Sequence, residues 1–397
     1  MSAFDTVKTE LDNYVMNTYG RFDVALESGK GATAKGVDGK TYIDFGSGIG
    51  VNALGYADEG WIKAITEQAH KLTHISNLYY SPVQAQLAKL LCETSGFNRV
   101  FFGNSGAEAN EGMIKLARKY SFDKYGKGRA TIVTLKNSFH GRTVTTLAAT
   151  GQDVFHNYFF PFTEGFKYTQ PNDFESMLEA VTEDVCGIML EAVQGEGGIY
   201  VLDSDYVKKI AALAKERDIL LMFDEVQAGI GRTGKFFAFE HFDVLPDIIS
   251  CAKALAGGLP MGAVLCSKKL RDVLGLGTHG TTFGGNPIAC AGAIEIITRV
   301  FKPEFLKSVN KKGDYIRNKL AKIEGIGEIR GLGLMIGFEV DGIDTKLAAI
   351  KAAEKGLLIL TAKTALRMLP PLVITYEEID SGIEILKTVI KEMKEKG

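Results

Sequence analysis

The middle of this chain alternates short, continuous apolar runs with segments of helical spacing, and this pattern restricts its fold more than any other feature. Residues 99–102 (RVFF) precede residues 107–120 (AEANEGMIKLARKY), where apolar side chains recur every three or four positions. The pattern continues through 131–135 (TIVTL), 185–193 (VCGIMLEAV), the helical 205–217, 219–223 (ILLMF), 247–251 (DIISC) and 262–267 (GAVLCS). A run that is apolar at every position needs cover on both faces, and the intervening helices supply it. The expectation is an α/β fold built on a mostly parallel sheet.

From about residue 300 the texture changes. A lysine-rich helix is predicted over 305–323, then 327–340 (GEIRGLGLMIGFEV), then two more helices on either side of 367–374 (RMLPPLVI). This reads as a smaller α+β domain. Near the start, 36–45 (GVDGKTYIDF) holds a hairpin signal at Asp38-Gly39. A length of 397 residues suits two or three domains. The division expected is an N-terminal segment 1–47 packing with the small domain, a large domain 48–299 and a small domain 300–397.

Charge excludes some functions. Lys plus Arg is 46 against 48 for Asp plus Glu, with no basic arm or stripe, so no nucleic-acid partner is expected. Cys92, Cys186, Cys251, Cys266 and Cys290 are odd in number, far apart and mostly in apolar stretches. They read as reduced core residues of a cytoplasmic protein, with no disulfide framework and no metal site. The first residues show no secretory signal. The longest weakly charged stretch, 248–267, is broken by glycines and Pro260 and contains Lys253, so it reads as a buried strand pair and no membrane span is expected.

Lys253 is the only charged residue between Ile248 and Ser267, and it falls at a strand end, where α/β sheets build their ligand crevices. Burial lowers the pKa of an ammonium and yields a nucleophilic amine, as Schiff-base chemistry requires. Taken alone, Lys253 reads equally well as a lysine whose head reaches solvent. Asp224 adds weight, because it ends the run ILLMF one strand away, and a buried carboxylate is the usual device for keeping a pyridine nitrogen protonated. Alone, it could simply cap the next segment. Residues 100–110 (VFFGNSGAEAN) form a strand, a small-residue turn and a helix start, whose free N–H groups suit a phosphate; an ordinary serine-capped helix has the same pattern.

Residues 229–234 (GIGRTG) match the dinucleotide fingerprint G-x-G-x-x-G after a strand. Asp224 and Glu225 stand between that strand and the glycines, where their charges would face a pyrophosphate. No clear helix starts at the glycines, and an aromatic cluster (Phe236, Phe237, Phe239) follows. A nicotinamide-dependent oxidoreductase is therefore the weaker reading.

Taken together, these segments resemble the class III (ω-amino acid) aminotransferases, enzymes of fold type I that use pyridoxal phosphate (PLP). The matching motifs are 104–110 (NSGAEAN), 138–143 (SFHGRT), 191–198 (EAVQGEGG), 223–234 (FDEVQAGIGRTG), 252–262 (AKALAGGLPMG), 281–287 (TTFGGNP), 330–337 (RGLGLMIG) and 367–374 (RMLPPLVI). They occur in family order over nearly the whole chain. The resemblance implies that Lys253 carries the cofactor and shuttles a proton, that Asp224 holds the ring nitrogen, and that Gln227 reaches the 3-hydroxyl. It implies Phe139 on one face of the ring and Val226 on the other, with Ser105, Gly106 and Ala107 at the phosphate. Thr282, beside Thr281 at the substrate, would reach the neighbouring subunit's cofactor, which implies a homodimer.

By the same resemblance Arg142 and Arg367 clamp substrate carboxylates, and Glu196 is a gate that covers Arg367 while an ω-amine donor is bound. Within the class, 18–31 (TYGRFDVALESGKG), 44–55 (DFGSGIGVNALG) and 74–80 (HISNLYY) are most similar to the acetylornithine aminotransferases. Ornithine aminotransferases carry a tyrosine where Gly48 aligns, and a small residue there leaves space for an acylated α-amine; Gly48 could also simply shape a turn. The implied substrates are N²-acetylornithine and 2-oxoglutarate, with succinylornithine, ornithine, 4-aminobutyrate or lysine donors as the alternatives. Two features depart from the family pattern. Asp23 stands where proline is usual, and 56–60 (YADEG) replaces a His-Cys-His-Pro-like stretch.

Overall fold

A computed structural model of the chain describes residues 1–395. A helix, Ala3–Tyr14, capped by Ser2, leads to three antiparallel strands, β1 (Leu26–Lys30), β2 (Thr33–Gly36) and β3 (Thr41–Asp44). The expected hairpin turn joins β2 to β3, and Gly39 supplies its positive φ of 81°. Next come β4 (Arg99–Gly103), β5 (Thr131–Leu135), β6 (Phe166–Thr169) and β7 (Val185–Leu190). A two-stranded ribbon of β8 (Val193–Gln194) and β9 (Tyr200–Val201) precedes β10 (Leu220–Asp224), β11 (Ile248–Cys251) and β12 (Gly262–Cys266).

Seven of these form the central sheet, in the order β4-β12-β11-β10-β7-β5-β6. Its strands are parallel except β12, which runs antiparallel to both neighbours. The exception has a local cause: β11 and β12 are joined by a short turn with no crossover helix, and a parallel pair needs a longer connection. The strand expected over 185–193 is also shorter. It ends at Leu190, and Val193 belongs to the ribbon, so Glu191 is left at a strand end.

The runs are apolar throughout because each strand faces two cores. Leu220 and Met222 pack with Met113, Leu116 and Ala117 of the helix Gly106–Tyr125. Leu221 and Phe223 face the opposite way, into the larger core with Val207, Ile210 and Leu213 of the helix Ser204–Glu216. At about 1.5–3 kcal/mol for each such side chain buried, this layering dominates the energetics of the sheet and fixes its strand ends in place.

The C-terminal region holds β13 (Ile326–Leu332), β14 (Met335–Val340), β15 (Leu357–Leu358), β16 (Leu360–Ala362) and β17 (Ala365–Met368). Four of them make an antiparallel sheet ordered β13-β14-β17-β16. The fifth, β15, pairs in parallel with β3, so the N-terminal strands share a sheet with the C-terminal region. The lysine-rich helix runs Pro303–Leu320, a shift set by proline in its first turn. Among the described residues no helix is long and apolar enough to cross a membrane.

Candidate active site

The C-terminal ends of β10 and β11 form the floor of a cleft of about 500 Å³. Asp224, the last residue of β10, is 4% exposed. One carboxylate oxygen accepts the Val226 N–H (2.9 Å), and the other accepts Asn110 Nδ2 (2.7 Å) and His140 Nδ1 (2.8 Å). Three donors compensate a charge that burial alone would penalise. Sequence reasoning missed both side-chain donors. They lie inside two of the quoted motifs, but only folding brings helix, loop and strand together.

Lys253 follows β11 and opens a short 3₁₀ turn, Lys253–Leu255. Its φ is 44°, in the left-handed region, which a lysine adopts at a cost that tends to be found at functional sites. The side chain lines the cleft and makes no hydrogen bond or ion pair to any described residue. Burial lowers its pKa; Arg367 adds to this, and the carboxylates of Glu196, Asp224 and Glu191 oppose it. The result is a poised amine with room in front of it.

The third wall is the N-terminus of the helix Gly106–Tyr125. Ser105 caps it, accepting the Glu108 N–H at 3.1 Å, while Gly106 and Ala107 line the cleft. The first N–H groups of a helix have no intrahelical acceptor, which suits them to an anion. A Cβ at Gly106 would come within 2.6 Å of Val226 Cγ1, so glycine is what lets Val226 close over the helix start. Phe139 also lines the cleft, with its N–H on Glu191 Oε2 at 3.1 Å. Burial, and then the nearby Asp224 charge, push the Glu191 carboxyl well above the usual range. Glu191 too was missed, since nothing in EAVQGEGG marks which glutamate faces inward.

Two arginines stand at the cleft in different states, Arg142 lining it and Arg367 behind Glu196, which lines it. Arg142 is exposed at its mouth, with its guanidinium 4.0 Å from the Phe155 ring centre and 5.5 Å from that of Phe139. It has no hydrogen bond or ion pair among the described residues. Arg367, on β17, is 3% exposed and is engaged by Glu196 (2.6 Å), the Gly195 carbonyl (3.1 Å) and Gln227 Oε1 (3.3 Å). Gln227 Nε2 in turn donates to Glu196 at 3.3 Å. Burial raises the Glu196 pKa, but the charge and hydrogen bond of Arg367, with smaller help from Lys253 and Gln227, together outweigh it, and the carboxyl sits below its ordinary value.

Some expected residues lie elsewhere. Thr281 and Thr282 line a separate cavity with Ser76, Asn77 and Gln84, and Thr281 accepts Asn104 Nδ2 at 2.9 Å. Gly48 lines another, of about 350 Å³, within a turn in which Ser47, Gly48, Ile49 and Gly50 all have positive φ. Conversely, Tyr19 reaches the cleft mouth without having been singled out.

Comparison with known proteins agrees with this geometry. The family model described as Aminotransferase class-III matches residues 14–390, and the chain belongs to this family of amino-group transferases. An acetylornithine aminotransferase of Haemophilus ducreyi is 51% identical over 391 residues, 98% of this chain and 99% of that one. Among solved structures, an ornithine aminotransferase of Toxoplasma gondii with partial occupancy of PLP at its active site superposes with a TM-score of 0.95. That pair is 32% identical, over 100% of this chain and 96% of the other. An N-acetylornithine aminotransferase of Stenotrophomonas maltophilia K279a has a TM-score of 0.86 and 34% identity, covering 98% of this chain and all of its own. Backbone likeness therefore does not separate the two donors.

The protein is an aminotransferase, and its cofactor is pyridoxal phosphate. The cleft fits that group. Among the described residues it offers an amine without a partner, a carboxylate backed by three donors at the strand end, a helix N-terminus, and polar atoms (His140 Nε2, Asn110 Oδ1) buried without a partner.

Proposed function

We propose that the enzyme transfers the δ-amino group of N²-acetylornithine to 2-oxoglutarate, giving N-acetylglutamate 5-semialdehyde and glutamate. The observation that carries this reading is the inequality of the two arginines. Arg142 is free to grip one carboxylate, while Arg367 is covered by Glu196. A donor reacting at its terminal amine brings one carboxylate, and the acceptor brings two. Arg142 binds the donor's carboxylate, and later the far carboxylate of the oxo acid. Glu196 keeps Arg367 covered in the first half of the cycle and releases it to the α-carboxylate in the second. Arg367 Nε, buried without a partner, supplies a spare donor for that exchange.

Bound in the cleft, pyridoxal phosphate supplies a protonated ring that accepts the electron pair left when a substrate C–H bond breaks. Asp224 holds the proton on the ring nitrogen, with His140 and Asn110 fixing its carboxylate. Lys253 Nζ would take the proton from the donor's δ-carbon and hold it for return. Ser105, Gly106 and Ala107 hold the phosphate, Phe139 and Val226 flank the ring, and Gln227 reaches its hydroxyl. Gly48 leaves room for the acyl group.

We further propose a homodimer in which Thr282 serves the partner subunit's cofactor. Supporting this is exposed apolar surface beside Thr282: Leu78, which lines the same cavity, is 88% exposed, and Phe283, next in the chain, 60%. Five free cysteines, four of them buried, accord with the reducing cytoplasm. The test is kcat/KM with 2-oxoglutarate across acetylornithine, succinylornithine, ornithine and 4-aminobutyrate. Acetylornithine is expected to lead, and a preference for free ornithine would overturn the assignment.

A further inference from the structure

The Glu196–Arg367 pair depends on where the backbone of residues 195–199 sits, and the C-terminal sheet holds that backbone. Ile199 is fully buried with a φ of 61°, a rare conformation for a β-branched residue. Its side chain fills a notch made by two glycines. A Cβ at Gly337 would come within 2.7 Å of Ile199 Cβ, and one at Gly331 within 3.0 Å of Ile199 Cγ2. Gly337 lies directly across the β14–β17 ladder from Arg367. One strand pair thus carries the guanidinium and grips the loop of its covering carboxylate.

Arg330 makes the second attachment. It is 8% exposed, donates from Nε to the Gly198 carbonyl (3.2 Å), and lies over the Tyr200 ring at 4.1 Å. Glu328 and Glu339 hold its other end. The glycines between leave little slack: a Cβ at Gly195 would strike Gln227, and one at Gly197 would reach the Asn137 carbonyl at 2.7 Å. With both flanks pinned, the Glu196 side chain is the part free to move.

We propose that Arg330 and Ile199 form a clamp that positions Glu196 against Arg367, and so determine how readily Arg367 is uncovered to accept a substrate carboxylate. The proposal rests on the reading of Glu196 as a gate. Loosening the clamp weakens the pair and exposes Arg367. The half-reaction with glutamate then gains relative to the half-reaction with the ω-amine donor.

The test uses purified holoenzyme and follows each half-reaction alone, with acetylornithine or glutamate, by the cofactor's absorbance. Arg330→Met and Gly337→Ala disturb the clamp from opposite sides, and Arg330→Lys keeps one donor. Thermal midpoints are measured alongside. The expected result is a shift of about tenfold in the ratio of the two kcat/KM values toward glutamate for Arg330→Met and Gly337→Ala. Arg330→Lys should recover part of it. If both rates fall together in step with the melting midpoint, Arg330 only supports the fold and the clamp is overturned. Glu196→Gln separates the two ideas. If it moves the ratio and the clamp variants do not, the clamp alone fails; if it leaves the ratio unmoved, the gate reading fails and takes the clamp with it.

Discussion

The floor and the rim of the cleft are built by different means. The floor is the ends of β10 and β11 with the start of one helix, and its groups hold one another: Asp224 has three donors, and Lys253 is pinned in a strained turn. The rim is carried by loops and by the C-terminal sheet, with Arg142 lying on aromatic rings and Arg367 covered by Glu196. Packed cores on both faces of the central sheet fix the floor to within what close packing tolerates. The rim must exchange partners twice in each cycle, so it relies on side chains that can let go. Chemistry sits on the rigid part and selection on the part that can switch.

The largest effect should come from the floor. Lys253→Ala removes the proton carrier, and turnover should fall by about 10³–10⁴-fold with either substrate. Steady-state rates with donor and glutamate would measure it, and near-normal activity would break the assignment of chemistry to the floor. At the rim the expectation differs between the two arginines. Arg367→Lys loses bidentate recognition and should weaken the glutamate half-reaction by about 10–100-fold while largely sparing the donor half. Arg142→Lys should impair both halves, chiefly through KM. Equal effects of the two variants on the donor half would erase the distinction between them. Returning to the floor, His140→Phe removes one donor to Asp224 and should lower kcat about tenfold with KM little changed.

What could be read before folding follows the same division. Lys253 and Asp224 stood out because charge inside an apolar run is expensive, so the run advertises it. The Ser105 turn stood out because capping is local chemistry. His140, Asn110 and Glu191 did not, since each acquires its meaning from a partner 30 to 114 residues away. The reversed direction of β12 was hidden for a related reason: an apolar run carries no sign of its polarity, and only the short connection after Lys253 sets it. The roles of Arg142, Glu196 and Arg367 came from the resemblance, because a lone surface-like arginine has no local signature. Gly48 and Thr282 stand apart from the cleft in a single chain, so their proposed roles have to be tested in the assembled enzyme.

The smallest predicted effect concerns the carboxylate next to the floor that faces away from it. Glu225 follows Asp224 but turns into the core, where its two oxygens accept the N–H groups of Ala238 and Phe239, each at 2.8 Å. Burial pushes its pKa up to about 8 against the pull of those two bonds, with Glu240 and Asp224 adding repulsion. For an acid whose folded value is raised, the folded state binds the proton more tightly than the unfolded chain does. Its contribution to stability is therefore complete below the unfolded value of 4.5 and is lost as pH rises through about 8. Glu225→Gln cannot ionise, but it has one carbonyl oxygen for two N–H donors, a cost of about 1 kcal/mol. Below pH 4.5 the natural enzyme should be the more stable by about that amount. The difference should shrink as pH rises above 4.5 and be reversed by about pH 9. Thermal melts of both holoenzymes across this range would decide it. A difference that stays constant with pH would mean that Glu225 is already charged in the fold, and that the back of β10 tolerates charge as the front does.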